Sequence, residues 1–370
     1  MFTENKKLIN KKLFRFCLVL FAKKYTKCLL GLFLSFVFII IHKKEVFSTN
    51  KINLAISLDI NFIYPSIVFL TSLLYNRANS TIYKIHILTD NSIKKDSMNK
   101  INSIFKRFGK NYVEFKYFNL EGNFKGASTK HFPFSSYYRI ALPTILPEVD
   151  KIIYIDTDVI NFEDLSEMYS IKFKDNMFFC GTLDSISLLN ELRQFQIQTD
   201  KYINAGILLI NLKALRKNGI EKKIRDFIPN RDLPTADQTA INAICHNNIQ
   251  ILSYKYAIFA LDSVEQLINI NNQQNIMYRF NESLLKKAFN EPILFHYYAR
   301  RKPWKKFNHS FNRVYWWYYA KISGFYKEIL DYYEFKINDI ESLLKQIPED
   351  GGLLKRNYKK LILNNNLSNI

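Results

Sequence analysis

The segment Tyr154-Ile155-Asp156-Thr157-Asp158-Val159-Ile160 carries two carboxylates one residue apart, at the end of an apolar run from Lys151 to Ile155 that reads as a buried strand. Residues i and i+2 of a strand point to the same face. At the C-terminal end of a strand, where open α/β sheets bind their ligands, both carboxylates then face one crevice. Two anions this close repel each other and need neutralising. A hard divalent cation that itself holds a diphosphate is the natural partner; the plainer reading is a loop with two solvated aspartates. Toward the other end, Phe295-His296-Tyr297-Tyr298-Ala299-Arg300-Arg301-Lys302-Pro303-Trp304 follows a strand-like stretch, Pro292 to Phe295. It joins an imidazole to a cationic cluster suited to phosphate oxygens. Imidazole with carboxylates suits Mn²⁺ better than Mg²⁺, although a lone histidine among aromatics is more often a packed core residue.

The elements that must position these groups alternate between β and α from Lys51 onward. Strands are expected at Ile52 to Leu58, Lys84 to Thr89, Val113 to Phe118, Lys151 to Ile155 and Gly206 to Leu212. Helices are expected at Pro65 to Tyr75, at Ser92 to Phe108 with a serine N-cap, and at Thr235 to Cys245. Arg139 falls on a further helix before the aspartates, and Asp184 follows a short apolar strand. This rhythm predicts an α/β fold with a mostly parallel, doubly wound sheet.

Four segments taken together, in order and spacing, resemble the glycosyltransferases of family 8, which include bacterial lipopolysaccharide glucosyl- and galactosyltransferases and the glycogenins. They are the strand with Asp156-Thr157-Asp158, then Asn204-Ala205-Gly206-Ile207-Leu208-Leu209-Ile210-Asn211, then Asp237-Gln238 with Asn242, then His296-Tyr297 with Lys302-Pro303-Trp304. The resemblance spans Ile52 to Trp304. It implies a GT-A fold, with a Rossmann-like sheet flanked by helices. It also implies metal-dependent, configuration-retaining transfer of a hexose, glucose or galactose, from a UDP-sugar. Two positions depart from the family pattern: Ala299 stands where a glycine usually lies over the diphosphate, and Ile60 where an acidic or polar residue often follows the first aspartate.

The resemblance distributes roles over the chain. Asp156, Asp158 and His296 are the expected metal set, holding Mn²⁺ or alternatively Mg²⁺. Ser57, Leu58, Asp59, Asn61 and Phe62 are expected around the uracil and ribose, with the Phe62 ring able to stack on the base; a turn in which Asp59 and Asn61 serve the local backbone is the alternative. Arg139, Asp156, Thr157, Asn204, Ala205, His296, Ala299 and Lys302 are expected against the rest of the donor, Lys302 as a second cation at the diphosphate. Gln238, Asp237 and Asp184 are the expected catalytic residues. The Gln238 amide is a weak base and a poor nucleophile, so a front-face mechanism fits better, with the departing phosphate oxygen taking the acceptor's proton.

Among 370 residues the net charge is +20, with aromatics at 15% and only 10 glycines. Such a balance suits nucleic acid, an anionic membrane or an acidic substrate. No RNP, zinc-finger or helix-turn-helix pattern accompanies it, which argues against a nucleic-acid partner. Four cysteines show no paired or zinc spacing. Residues 1–50 hold ten lysines and arginines against two glutamates and a continuous apolar run from Cys28 to Ile41. They read as a membrane anchor, with residues 51–304 as the catalytic domain and 305–370 as a helical basic and aromatic extension with a loose tail. Tyr315 to Tyr319 supplies the aromatics favoured at a lipid interface. The expected partners are a UDP-hexose donor, a saccharide or lipid-linked glycan acceptor in lipopolysaccharide or surface-glycan synthesis, and a membrane surface. The expected location is the cytoplasmic face of a bacterial inner membrane. The alternatives are a degenerate relative that binds a UDP-sugar without turnover, and a basic nucleic-acid-associated protein.

Overall fold

The computed structural model describes residues 50–127, 132–184, 189–259, 263–298, 300–306, 312–348 and 352–354. Seven strands form the central sheet in the order β3-β2-β1-β4-β7-β6-β8. They are β1 (Asn50–Ser57), β2 (Thr81–Thr89), β3 (Val113–Asn119), β4 (Lys151–Ile155), β6 (Phe179–Leu183), β7 (Ile203–Asn211) and β8 (Ile249–Ile251). A small second sheet runs β5-β10-β9, from Val159–Asn161, Leu294–His296 and Ile258–Phe259. β1, β2, β3 and β4 pair in parallel, while β7 runs antiparallel to both β4 and β6. The sheet is therefore mostly parallel, as expected, with one reversed strand. An apolar run buried on both faces reads the same in either direction, so sequence could not show the reversal.

Two apolar layers cover the sheet. One packs Ile67, Leu70 and Leu73 of helix Ile63–Tyr75 and Ile101 and Ile104 of helix Lys95–Ile104 on the β1 side chains Leu54 and Ile56. The other packs the 3₁₀ helix Phe134–Ala141 and helix Asp237–Cys245 against Tyr154, Leu208 and Ile210. Helix Ile63–Tyr75 is buried almost all round, because the sheet lies on one side and helix Arg313–Ile322 packs on the other. Its Thr71 and Ser72 hydroxyls donate back to carbonyls of their own helix.

The expected helix from Ser92 to Phe108 forms only over Lys95–Ile104 and widens into a different turn at Phe105–Gly109. Ser92 does not cap it; the Ser92 amide is instead held by the Asp90 carboxylate. The aromatic run from Tyr315 to Tyr319 is a second correction. All five side chains are buried, Trp316 and Trp317 completely, in a cluster with Phe162, Phe295 and Tyr297. They fill a core and offer no lipid-facing surface. The reason is that helix Arg313–Ile322 closes over helix Ile63–Tyr75 and the small sheet. Among the described residues no helix is long and apolar enough to cross a membrane. Residues 28–41, where a span is expected, and the tail 355–370 lie outside the described residues.

Candidate active site

The two aspartates sit at a corner. β4 ends at Ile155 and β5 begins at Val159, so Asp156, Thr157 and Asp158 carry the chain from the large sheet to the small one. Register then selects their neighbours. Ile155 pairs with Ile207, and the Asp156 amide donates to Gly206 O at 2.7 Å, which sets Gly206 opposite Asp156. On the other side β10 runs antiparallel to β5, His296 opposite Val159, and the Tyr297 amide donates to Asp158 O at 2.9 Å. A histidine 138 positions downstream thus arrives beside the pair.

Ligand atoms of Asp156, Asp158 and His296 all lie within 4.8 Å of one another. His296 Nε2 is 3.2 Å from Asp158 Oδ1. The Lys302 ammonium contacts Asp158 Oδ2 and donates to Tyr297 O at 2.8 Å. Burial disfavours charge on Asp158, yet Lys302 and His296 outweigh it and hold that carboxyl well below the usual carboxylate range. For Asp156, burial and the neighbouring Asp158 charge win over Arg139 and push the carboxyl up. The pair is therefore electrostatically uneven, and a cation between them would favour both ionised forms.

Arg139 is the hub of the other half. It lies, as expected, on a helix, the 3₁₀ helix Phe134–Ala141, almost fully buried, over the Tyr154 ring at 4.1 Å. It reaches Asp156 Oδ1 and Asp237 Oδ2, each at 2.9 Å, the latter as an ion-pair contact without hydrogen-bond alignment. It also donates to the carbonyls of Ala205 and Ser136. Burial works against the guanidinium charge, and Asp156 and Asp237 more than restore it. Burial likewise pushes the Asp237 carboxyl up, to about 7, with Arg139 acting the other way.

The two middle motifs interlock. The Ala205 amide donates to Gln238 Oε1 at 2.9 Å, and Gln238 Nε2 donates to Asp184 Oδ2 at 3.2 Å. Asn204 Nδ2 donates to the same Asp184 oxygen at 2.9 Å, and Asn204 Oδ1 accepts from the Gly206 amide. One turn beyond Gln238, Asn242 clamps both the amide and the carbonyl of Ile203. The start of β7 is thus hydrogen-bonded by side chains of helix Asp237–Cys245.

These groups line one cleft of about 430 Å³. Ser57, Leu58, Phe62, Arg139, Asp156, Thr157, Asp158, Asp184, Asn204, Ala205, Asp237, Gln238, His296 and Lys302 all face it. Asp59 and Asn61 are not among its walls. Asp59 Oδ1 instead accepts from the Asn61 amide at 2.8 Å, capping the next turn, and its Oδ2 accepts from Ser135 at 2.9 Å. Ala299 lies outside the described residues. Sequence reasoning did not single out Ser135, Ser136, Tyr154, Gly206, Thr235 or Tyr298, which also line the cleft. Tyr154 was findable: two positions before Asp156 on the same strand face, it donates its hydroxyl to Asp156 Oδ1 at 2.9 Å.

The donor set fits a divalent ion. His296 Nδ1 is buried without a hydrogen-bond partner, Asp158 Oδ1 meets His296 Nε2 as an ion-pair contact without hydrogen-bond alignment, and two carboxylates with an imidazole are borderline-to-hard ligands. Gly206 leaves the space beside them open: a β-carbon there would overlap His296 Cε1 and lie 2.8 Å from Asp156 Oδ2. A mostly parallel sheet with a charged cleft at the C-terminal ends of β1 and β4 puts these groups where open α/β folds bind their ligands.

Residues 53–308 match the sequence profile of glycosyl transferase family 8, and the chain belongs to that family, the glycosyltransferases expected from its motifs. It is 26% identical over 249 residues to general stress protein A of Bacillus subtilis (63% of this chain, 80% of that protein). It is 21% identical over 264 residues to the lipopolysaccharide 1,3-galactosyltransferase of Salmonella typhimurium (69% of this chain, 73% of that protein). In fold it is similar to the galactosyltransferase LgtC, solved with donor and acceptor sugar analogues (TM-score 0.57, 19% identity, 74% of this chain and 95% of that one). It is also similar to the bifunctional glycosyltransferase WbbM (TM-score 0.64, 16% identity, 76% of this chain), of which it spans about half, 51%.

Proposed function

We propose that this glycosyltransferase moves glucose or galactose from a UDP-sugar to a saccharide acceptor, with retention of configuration and with Mn²⁺. The observation that carries the reading is the Asp156, Asp158 and His296 cluster, its ligand atoms within 4.8 Å of one another, with Lys302 beside it in the cleft. When bound there, the ion would supply Lewis-acid stabilisation of charge on the leaving diphosphate. Lys302 would add a second cation to the diphosphate once Asp158 is engaged elsewhere, and Phe62 a ring for the base. Gln238 already spends its carbonyl on the Ala205 amide and its amide on Asp184. That supports a positioning role for Gln238 and leaves acceptor deprotonation to the donor's own phosphate, as in a front-face reaction. Asp237, held beside Arg139, would orient a sugar hydroxyl.

The test is a screen of UDP-glucose, UDP-galactose and UDP-N-acetylglucosamine for Mn²⁺-dependent turnover, with UDP protection against thermal unfolding as a second readout. Protection that persists unchanged in excess EDTA, with no donor turned over, would overturn the metal reading. Ligand at 100 times its Kd stabilises by about 2.7 kcal/mol, enough to resolve.

The acceptor in this reading is a lipid-linked or surface glycan, and the protein works at the cytoplasmic face of a bacterial inner membrane. Support comes from the basic residues 1–50 around the apolar run Cys28 to Ile41, since juxtamembrane lysines near anionic lipid contribute about 1 kcal/mol each. Removing residues 1–45 leaves β1 whole and should give a soluble, UDP-binding protein that no longer sediments with anionic vesicles. Undiminished vesicle binding by that truncation would move the membrane contact elsewhere.

A further inference from the structure

The turn ahead of helix Asp237–Cys245 carries strain that the catalytic groups do not explain. Ala236 has φ 51° and ψ −122°, a conformation suited to glycine and disfavoured by a β-carbon. Such backbone persists only where the surroundings over-determine it. Next to the turn lies a carboxylate ringed by hydroxyls. Glu191 Oε2 accepts from Thr239 at 2.9 Å, from Thr235 at 3.2 Å and from Tyr202 at 3.3 Å. The hydroxyls also meet one another, Tyr202 with Thr235 at 2.6 Å and Thr235 with Thr239 at 2.7 Å. Thr235 and Thr239 bracket the strained residue, and the Gln238 amide donates to Thr235 O at 3.0 Å.

We infer that Glu191 is a positioning residue: through Thr235, Thr239 and Tyr202 it holds the strained Ala236 turn, and so aims Asp237 and Gln238 into the cleft. Each hydroxyl has one proton to donate, so a ring of hydroxyls alone can only pass donors around. A carboxylate oxygen collects all three and draws both ends of the turn to one point. Without it the turn would relax to an unstrained form, and Asp237 and Gln238 would leave Arg139 and Ala205. A misplacement of about 1 Å is enough to cost roughly a hundredfold in rate.

The kinetic arm rests on the UDP-sugar reading; the stability arm does not. In the full chain, Glu191→Ala should lower kcat for Mn²⁺-dependent UDP-sugar turnover by at least about tenfold while donor KM stays within about twofold. Adding Ala236→Gly should restore kcat to within about threefold of wild type, because glycine holds the aimed turn without strain. Separately, Ala236→Gly alone should raise Tm more in the wild-type background than in Glu191→Ala, where there is no strain left to relieve. A Glu191→Ala variant with wild-type kcat, or a double variant no faster than the single one, would overturn the inference. If no donor is turned over, the Tm comparison decides: equal shifts in both backgrounds would overturn it. Should Glu191→Ala fail to fold, Thr235→Val carries the same comparisons.

Discussion

Gly206 and His296 meet across the seam between the two sheets with no room for a side chain between them: a β-carbon on Gly206 would overlap His296 Cε1 and press on Asp156 Oδ2 and Asn204 Oδ1. The glycine is needed for close approach rather than for an unusual backbone angle. Gly206→Ala must displace either the imidazole or the carboxylate. It should cost about 1–3 kcal/mol of stability by overpacking, and reduce Mn²⁺ affinity at least about tenfold, the lower range for disturbing a metal ligand's support. Titration of Mn²⁺ by electron paramagnetic resonance checks this; unchanged affinity would place the ion elsewhere.

Arg139 holds two carboxylates that sit in different motifs, Asp156 and Asp237. Removing one partner of a buried charge pair costs about 3–5 kcal/mol, and here Arg139→Ala would leave two acids uncompensated. The urea midpoint should fall accordingly. Arg139→Lys keeps the charge but not the planar fork that reaches both acids and two carbonyls. It should recover stability in part and turnover poorly. A fully active Arg139→Lys would reduce Arg139 to a point charge.

His86, on β2, gives a pH signature away from the cleft. Burial, helped by Lys84 and Lys116, lowers its pKa to about 4 from an ordinary 6.5. As pH falls the unfolded chain takes up that proton first, so the folded state loses ground. The contribution should be absent above about pH 6.5, grow between pH 6.5 and 4, and level off below 4. His86→Gln should flatten the acid limb of the urea midpoint over that window. Parallel wild-type and variant curves would show that another group sets the slope.

Trp317 is fully buried and donates its indole N–H to Pro303 O at 3.1 Å, tying helix Arg313–Ile322 to the segment that carries Lys302. Trp317→Ala should destabilise by about 3–5 kcal/mol, with a matching drop in Tm, and should weaken UDP binding through Lys302. An interfacial aromatic would behave otherwise, losing vesicle binding at little cost in stability. A stable Trp317→Ala variant with impaired vesicle binding would reverse the assignment.

Local pattern was enough for much of this protein. The alternation of apolar β and α segments specified the sheet and most of its strands, because a strand buried between helical layers must be apolar along its length. The carboxylates at the end of β4, the imidazole after β10 and the motifs between them pointed to most of the cleft's walls only in combination, through their resemblance to one family, since each alone suits a solvated loop or a packed core as well. Pairing direction and register were not written locally. The reversal of β7 sets Gly206 against Asp156, and the small sheet sets His296 opposite Val159, with its ring beside the Asp158 carboxylate; both depend on which strands become neighbours. The same holds for Tyr315 to Tyr319, whose amphipathic rings suit a lipid interface or a core equally well. Only the packing of helix Arg313–Ile322 on helix Ile63–Tyr75 chose the core. Glu191, Tyr202, Thr235 and Thr239 come from three separate segments, and their meeting at one carboxylate oxygen is a property of the folded chain alone.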